Sequence, residues 1–164
     1  MTSMYAYWGN GKVKLTWVPD DKLPAQALIT SVHGLCFKEN KLLLVNLNDR
    51  NWDIPGGHME QGEAPVDCFK REAYEEGYIE GSCALLGYIT VDHTENFEWD
   101  SEGLYPKIGY QVFYYMDIQQ IVEFKAAYES TDRIWIHPAE VKNYKTDWNL
   151  LYQRILDRAV RMRK

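Results

Sequence analysis

The sequence predicts an α/β (α+β) fold, a mixed β-sheet with helices packed on its faces. Three observations carry that expectation. Several runs alternate in polarity at period two, the mark of half-buried strands. Residues 64–77 place apolar side chains at helical spacing in the middle of those runs. A second helical stripe follows from Asp147 onward. Strands, a helix, more strands and a terminal helix are the order of a sheet covered by helices.

Taken in order, residues 12–18 (Lys-Val-Lys-Leu-Thr-Trp-Val) alternate and read as a strand. Runs 28–37 and 41–47 read as a hairpin across Lys38, Glu39 and Asn40, although the turn lacks Gly. Residues 48–57 read as loop, punctuated by Pro55, Gly56 and Gly57. In the helix at 64–77, Val66, Phe69 and Ala73 make one apolar stripe. Strands are expected at 84–92 and 107–117; in the second, Ile108, Tyr110, Val112, Tyr114 and Met116 alternate with Gly109, Gln111, Phe113 and Tyr115. The intervening loop, 92–104, holds Asp92, Glu95, Glu98, Asp100 and Glu102 and no Lys or Arg. A short strand at 133–137 stops at Pro138. Trp148, Leu151, Tyr152, Ile155, Leu156 and Ala159 then mark an amphipathic C-terminal helix.

Composition narrows the function classes. A length of 164 residues suits a single domain spanning 1–164, with no repeat, low-complexity tract or linker to divide it. Hydrophobic residues at 46% and charged residues at 26% exclude wholesale disorder. No run approaches 18 apolar residues, which excludes a membrane-spanning helix. The opening residues lack a basic n-region and an apolar h-region, so a cytoplasmic location is expected. Cys36, Cys68 and Cys83 are odd in number and form no CxxC pair, which argues for reduced core thiols over disulfides or zinc. The net charge of −6 divides into +4 over 150–164, from Arg154, Arg158, Arg161, Arg163 and Lys164 against Asp157, and −10 elsewhere. That acidic body argues against nucleic-acid binding. The basic tail reads as the complement of a helix C-terminus.

The chemistry concentrates in 57–79, GHMEQGEAPVDCFKREAYEEGYI. Glu72, Glu75 and Glu76 stand at i, i+3 and i+4, on one helix face, and like charges so spaced repel by about 0.2–0.5 kcal/mol per pair. They also fall near the helix end, where the macrodipole disfavours anions. Two compensations are open: local screening of an exposed acidic face by Lys70 and Arg71, or a divalent metal held by clustered carboxylate oxygens.

The segment closely resembles the Nudix box of the Nudix hydrolase (MutT-like) superfamily, G-x5-E-x7-R-E-U-x-E-E-x-G-U, where U is apolar. Gly57, five residues, Glu63, seven residues, then Arg71, Glu72, Ala73, Tyr74, Glu75 and Glu76 fill the pattern in register. Chance gives such a match at roughly 10⁻⁷ per starting position. One position departs: the closing Gly is Tyr78, with Gly77 one place earlier, so the helix is expected to end at Gly77. Residues 52–57 resemble the family's approach to the box, and 133–141 its late strand and short helix.

The resemblance implies an α/β/α sandwich around a mixed sheet. It implies hydrolysis of a pyrophosphate bond in a nucleoside diphosphate linked to another moiety, by water attacking phosphorus, with Mg²⁺ or Mn²⁺ as cofactor. It makes Glu72, Glu75 and Glu76 the metal carboxylates, with the Gly56 carbonyl and Glu63 as further ligands. Arg71 becomes the residue that locks Glu72. The base is expected to be Glu72 or Glu129, with Glu123 a weaker rival. Candidates for substrate contact are Arg50, for phosphates, Trp52, and Phe97, which with Trp99 either stacks on a base or pins its loop. His33, His58, His93 and His137 read as hydrogen-bonding residues rather than metal ligands. The expected partner is a small nucleotide, a nucleoside triphosphate or nucleotide sugar ahead of a dinucleotide. Two rivals share the fold: a nucleotide sensor that does not hydrolyse, and a prenyl-diphosphate isomerase, which would need a Cys facing the substrate.

Overall fold

The computed structural model describes residues 1–163; Lys164, counted above in the basic tail, lies outside them. The strand expected at 12–18 is the second half of a hairpin, in which β1 (Thr2–Trp8) pairs antiparallel with β2 (Gly11–Pro19). β1 escapes a polarity reading because it is an edge strand with both faces partly wet: Tyr5, Tyr7 and Trp8 all remain exposed.

β3 (Ile29–Lys38) and β4 (Lys41–Leu47) form the expected hairpin, but share register only beside the turn, Phe37 with Leu42 and Lys38 with Lys41. Glu39 supplies the positive φ of that turn, 55°, in place of the missing Gly. The strands then part. β5 (Asn51–Asp53) pairs with β4, while β6 (Gly56–His58) pairs with β3 at Ser31, Val32 and His33. Segment 48–57 is therefore not all loop, and strands of three residues are too short to show a period.

α1 (Pro65–Gly77) starts on Pro65, whose fixed φ and missing N–H suit a first helical turn. β7 (Ile79–Asp92) and β8 (Ile108–Ile121) run longer than expected, and β9 (Ser130–Ile136) begins three residues sooner. The additional stretches, such as Glu80-Gly81-Ser82, are polar or small and carry no alternation. A 3₁₀ turn, Pro138–Asn143, leads to α2 (Leu150–Met162), where Asn149 Oδ1 accepts from the backbone N–H of Leu151 and Tyr152.

The sheet runs β1-β2-β7-β8-β3-β4-β5, with β6 beside β3 and β9 beside β4. β3 and β8 are parallel and the other pairs antiparallel, so the sheet is mixed. Each face carries a helix. Phe69, Cys68 and Ala73 of α1 pack with Leu43, Val45, Val112 and Tyr114. Leu151, Ile155 and Ala159 of α2 pack with Leu42, Leu44, Phe37 and Phe113 on the other. The continuous apolar run in β4 follows from this, since successive side chains enter opposite cores. The architecture is an α/β/α sandwich. Arg158 Nε donates to the Leu86 carbonyl at 2.7 Å and Arg163 lies 4.5 Å from the Phe37 ring centre, so the basic tail also seals the α2 layer. Among the described residues no helix is long and apolar enough to cross a membrane. Cys36, Cys68 and Cys83 are free.

Candidate active site

α1 brings Glu72, Glu75 and Glu76 to its C-terminal half with no basic residue in its last turn. Compensation arrives from β9. Arg133 Nη1 donates to the Gly77 carbonyl at 2.8 Å and, more weakly, to that of Tyr78 at 3.4 Å. Ser130 Oγ donates to the Glu76 carbonyl at 2.6 Å. A cation on the last carbonyls satisfies orphan acceptors and the helix dipole together. Neither residue stands out in the sequence, because each lies more than fifty positions from its partner.

The helix ends at Gly77 as expected, but the left-handed capping position falls on Tyr78 and not on a Gly. Gly77 stays helical, and Tyr78 itself takes the left-handed conformation, φ 56° and ψ 47°, donating its N–H to Tyr74 O at 2.9 Å. For a residue with a Cβ that conformation costs about 1–2 kcal/mol. Gly77 serves packing instead: a Cβ there would stand 2.8 Å from Leu43 Cδ2.

Arg71 organises the acidic face. Its Nε and Nη2 clamp Glu63 at 2.7 and 3.1 Å, and its Nη1 reaches Glu72 Oε1 at 2.9 Å and Glu75 Oε2 at 3.3 Å. The guanidinium bonds hold the Glu63 carboxyl at about 2, against the opposing effect of burial. Glu72 moves the other way: burial raises it despite Arg71.

Glu76 is the exceptional carboxylate. It is 1% exposed, and its Oε1 accepts from Gly56 N at 2.8 Å. Its Oε2 is buried with no hydrogen-bond partner, and the nearest cation is Arg50 Nη2 at 3.6 Å. Burial pushes the group up to about 8, with the Gly56 N–H and Arg50 opposing.

Above this point opens a cleft of about 540 Å³ whose lining includes Arg50, Gly56, Gly57, Glu72, Gln111 and Glu129. The fold thus gathers Arg50, Gly56, Glu72 and Glu129 at one cleft with Glu76 joined to its wall. Glu63 and Glu75 lie to the side, on Arg71. Gly57 gives the Glu72 carboxyl its room, since a Cβ there would stand 2.6 Å from the carboxyl carbon and push it aside. Trp52 packs edge-on against Tyr144 and lines a neighbouring hollow with Arg50 and Lys145. Phe97 is 78% exposed and lines neither cavity, and Trp99 donates Nε1–H to Tyr105 O at 3.0 Å within its own loop.

Of the histidines, His33 is stacked on Phe113, pairs with Ser31 Oγ at 2.9 Å, and is pushed down to about 4 by burial. His93 contacts Asn96 at 3.0 Å, and His137 Nδ1 accepts from Ala139 N at 3.1 Å. His58 lines the cleft. Sequence reasoning missed Gln111, although it is the one amide among residues 108–116 of β8, and Lys145. Lys145 is 3% exposed and sits 2.8 Å from both Asp53 and Asp147. Burial lowers its pKa, but Tyr152 and the two aspartates outweigh that and hold it above the usual lysine value.

A family model described as the NUDIX domain matches residues 28–157. The chain belongs to the NUDIX family. Solved structures agree with that fold. A mutant of the Bacillus subtilis pyrophosphohydrolase BsRppH matches at 20% identity and a TM-score of 0.73, covering 99% of this chain and 98% of that one. An ADP-ribose pyrophosphatase from Streptococcus suis matches at 20% identity and 0.56, over 82% and 91%. The NUDIX domain of Shewanella oneidensis NrtR, solved with ADP ribose, matches at 16% identity and 0.59, over 85% and 91%. The N-terminal hairpin lies outside the stretch matched to the NUDIX model.

The NUDIX residues fit a divalent cation in one decisive respect: Glu76 Oε2 is a buried carboxyl oxygen with no hydrogen-bond partner. The donors around it are oxygens, the choice of a hard ion. Arg71 draws Glu72 and Glu75 to itself, and among the described residues no three His, Cys, Asp or Glu side chains already converge as a cage. A divalent cation bound at this NUDIX site would have to draw those carboxylates from the guanidinium.

Proposed function

We propose that this NUDIX chain is a divalent-metal-dependent pyrophosphohydrolase that cleaves the diphosphate linkage of a nucleotide, with nucleoside triphosphates and nucleotide sugars as the leading substrate classes. The observation that carries the reading is the buried, unpartnered Oε2 of Glu76 beside the cleft. Ionising a carboxyl in so buried a position is costly, and a bound cation would offset that cost beyond what Arg50 at 3.6 Å supplies.

Mg²⁺ or Mn²⁺ would be held by Glu72, Glu75, Glu76, the Gly56 carbonyl and Glu63, and when bound supplies charge neutralisation and activation of the attacking water. The remaining work falls to the chain. Arg50, on the cleft wall, binds phosphate oxygens and offsets their charge. Arg71 orients Glu72 through its 2.9 Å bond. Glu129, exposed to the cleft, accepts the proton of the attacking water, with Glu72 the alternative acceptor.

Nucleotide chemistry draws support from a second pocket, of about 140 Å³, which shares Ser31, His58 and Gln111 with the cleft and adds Trp8, His93 and Tyr105. Rings beside a phosphate cleft suit a planar base. The neighbours named as pyrophosphohydrolase and ADP-ribose pyrophosphatase point to the same reaction class. The isomerase reading finds no support, since none of the three cysteines lines the cleft. The sensor reading keeps one argument, a NUDIX neighbour solved with ADP ribose.

A mass-spectrometric turnover screen tests the proposal, run with Mg²⁺ or Mn²⁺ over nucleoside triphosphates, nucleotide sugars, dinucleotides and prenyl diphosphates. One substrate split at its diphosphate, with activity lost in EDTA, is the expected result. No turnover, with a nucleotide still raising the melting temperature, would replace the hydrolase by the sensor.

A further inference from the structure

Tyr78 stands where the Nudix pattern has Gly, in a backbone conformation that favours Gly. A residue kept there against that preference needs a compensating contact, and beyond Tyr74 on its own helix the contacts of its side chain run to one segment. The ring is 3% exposed and meets Phe124 at 4.9 Å and Tyr128 at 6.1 Å between centres. The phenol oxygen accepts from Ala127 N at 2.8 Å, and the Tyr78 carbonyl accepts from Val122 N at 2.8 Å.

Apart from Tyr78, the segment 122–129 is held by Arg133 over the Phe124 ring at 5.6 Å and by Asn48 N, which donates to the Glu129 carbonyl at 3.2 Å, with nothing else on 125–128 among the described residues. Residues 122–129 carry no helix or strand, Glu123, Lys125, Ala126, Ala127 and Tyr128 are exposed, and Ala126 takes a φ of 51°. The segment ends at Glu129, on the cleft, and the next residue, Ser130, is fastened to the Glu76 carbonyl. A Gly at 78 would allow the same helix exit and keep the main-chain bond to Val122, but would lose the grip on Phe124, Ala127 and Tyr128.

We infer that Tyr78 is a positioning residue, which anchors the 122–129 loop through its ring and hydroxyl and thereby sets where Glu129 stands in the cleft. The inference rests on the assignment of Glu129 as proton acceptor in the proposed reaction. Its chemistry is a matter of placement alone: Tyr78 exchanges no proton with substrate.

The test pairs hydrogen exchange with a double-mutant cycle. Tyr78→Phe removes one hydroxyl and keeps the ring, so the fold survives. Exchange of the Ala127 amide is expected to speed up by about tenfold, with α1 amides unchanged. With a panel of ATP, GTP and UDP-glucose and Mg²⁺, Tyr78→Phe should lower kcat by about three- to tenfold at unchanged KM, and Tyr78→Gly further. In a Glu129→Gln background, Tyr78→Phe should have no additional effect. Unchanged Ala127 exchange overturns the anchor. A Tyr78→Phe loss that persists undiminished in Glu129→Gln overturns the coupling. Full turnover by Glu129→Gln overturns the base assignment and the inference with it, and no turnover by the unmodified chain removes its catalytic half.

Discussion

Removing the Arg71 guanidinium tests whether one cation organises the acidic face. Arg71 is 25% exposed, and its partners Glu63, Glu72 and Glu75 are 16%, 13% and 33% exposed, so screening reduces each contact but does not abolish it. Charged hydrogen bonds contribute about 1.5–3 kcal/mol when well buried and exposed pairs under about 1. The clamp on Glu63 and the bond to Glu72 lie between those limits. Arg71→Ala also unmasks repulsion within the Glu triplet. The expected loss is about 2–3 kcal/mol, or about 4–12 °C in Tm for a chain of this size, measured by calorimetry in EDTA. The pH dependence carries a sign. Glu63 is held at about 2 in the folded protein, below its ordinary value of 4.5. Its stabilisation is therefore complete above the unfolded pKa and lost as pH falls through the folded one. The gap in Tm between Arg71→Ala and the unmodified protein should be full at pH 7 and narrow from about pH 4.5 toward 2. A gap under about 1 °C at pH 7, or one that does not change with pH, would refute the reasoning.

Arg133→Ala removes the cation from the α1 carbonyls and should cost about 2 kcal/mol by thermal unfolding, with Arg133→Lys recovering part of it. Gly77→Ala should cost about 1–3 kcal/mol from overpacking against Leu43, read as a lower urea midpoint at unchanged m-value. Lys145→Met leaves Asp53 without its buried partner and should cost about 3 kcal/mol, a loss that adding Asp53→Asn restores in part if the pair is the cause.

The fold was legible wherever burial on one or both faces forces a pattern. β4 reads as an unbroken apolar run because Leu42 and Leu44 enter one core while Leu43 and Val45 enter the other. The wet edge strand β1 and the three-residue β5 and β6 obey no such constraint and left no period to read. In the site, the motif located Arg71 and the glutamates because one helix holds them at fixed spacing. Arg133, Ser130, Gln111 and Lys145 come from separate strands and turns, joined only by the folding of the sheet. Tyr78 shows the limit most clearly. The departure from the Gly pattern was visible, but the left-handed turn at that Tyr and its grip on residues 122–128 are tertiary facts.

The central claim is that Glu76 is a cation ligand of a hydrolytic site, and it stands or falls on turnover by Glu76→Gln at saturating Mg²⁺. The amide keeps the size and the acceptor for Gly56 N but cannot ionise toward a cation. On the substrate identified by the screen, the expected loss is at least about 100-fold with the melting temperature in EDTA held, since the neutral amide matches the protonated carboxyl. Turnover equal to that of the unmodified protein would contradict it.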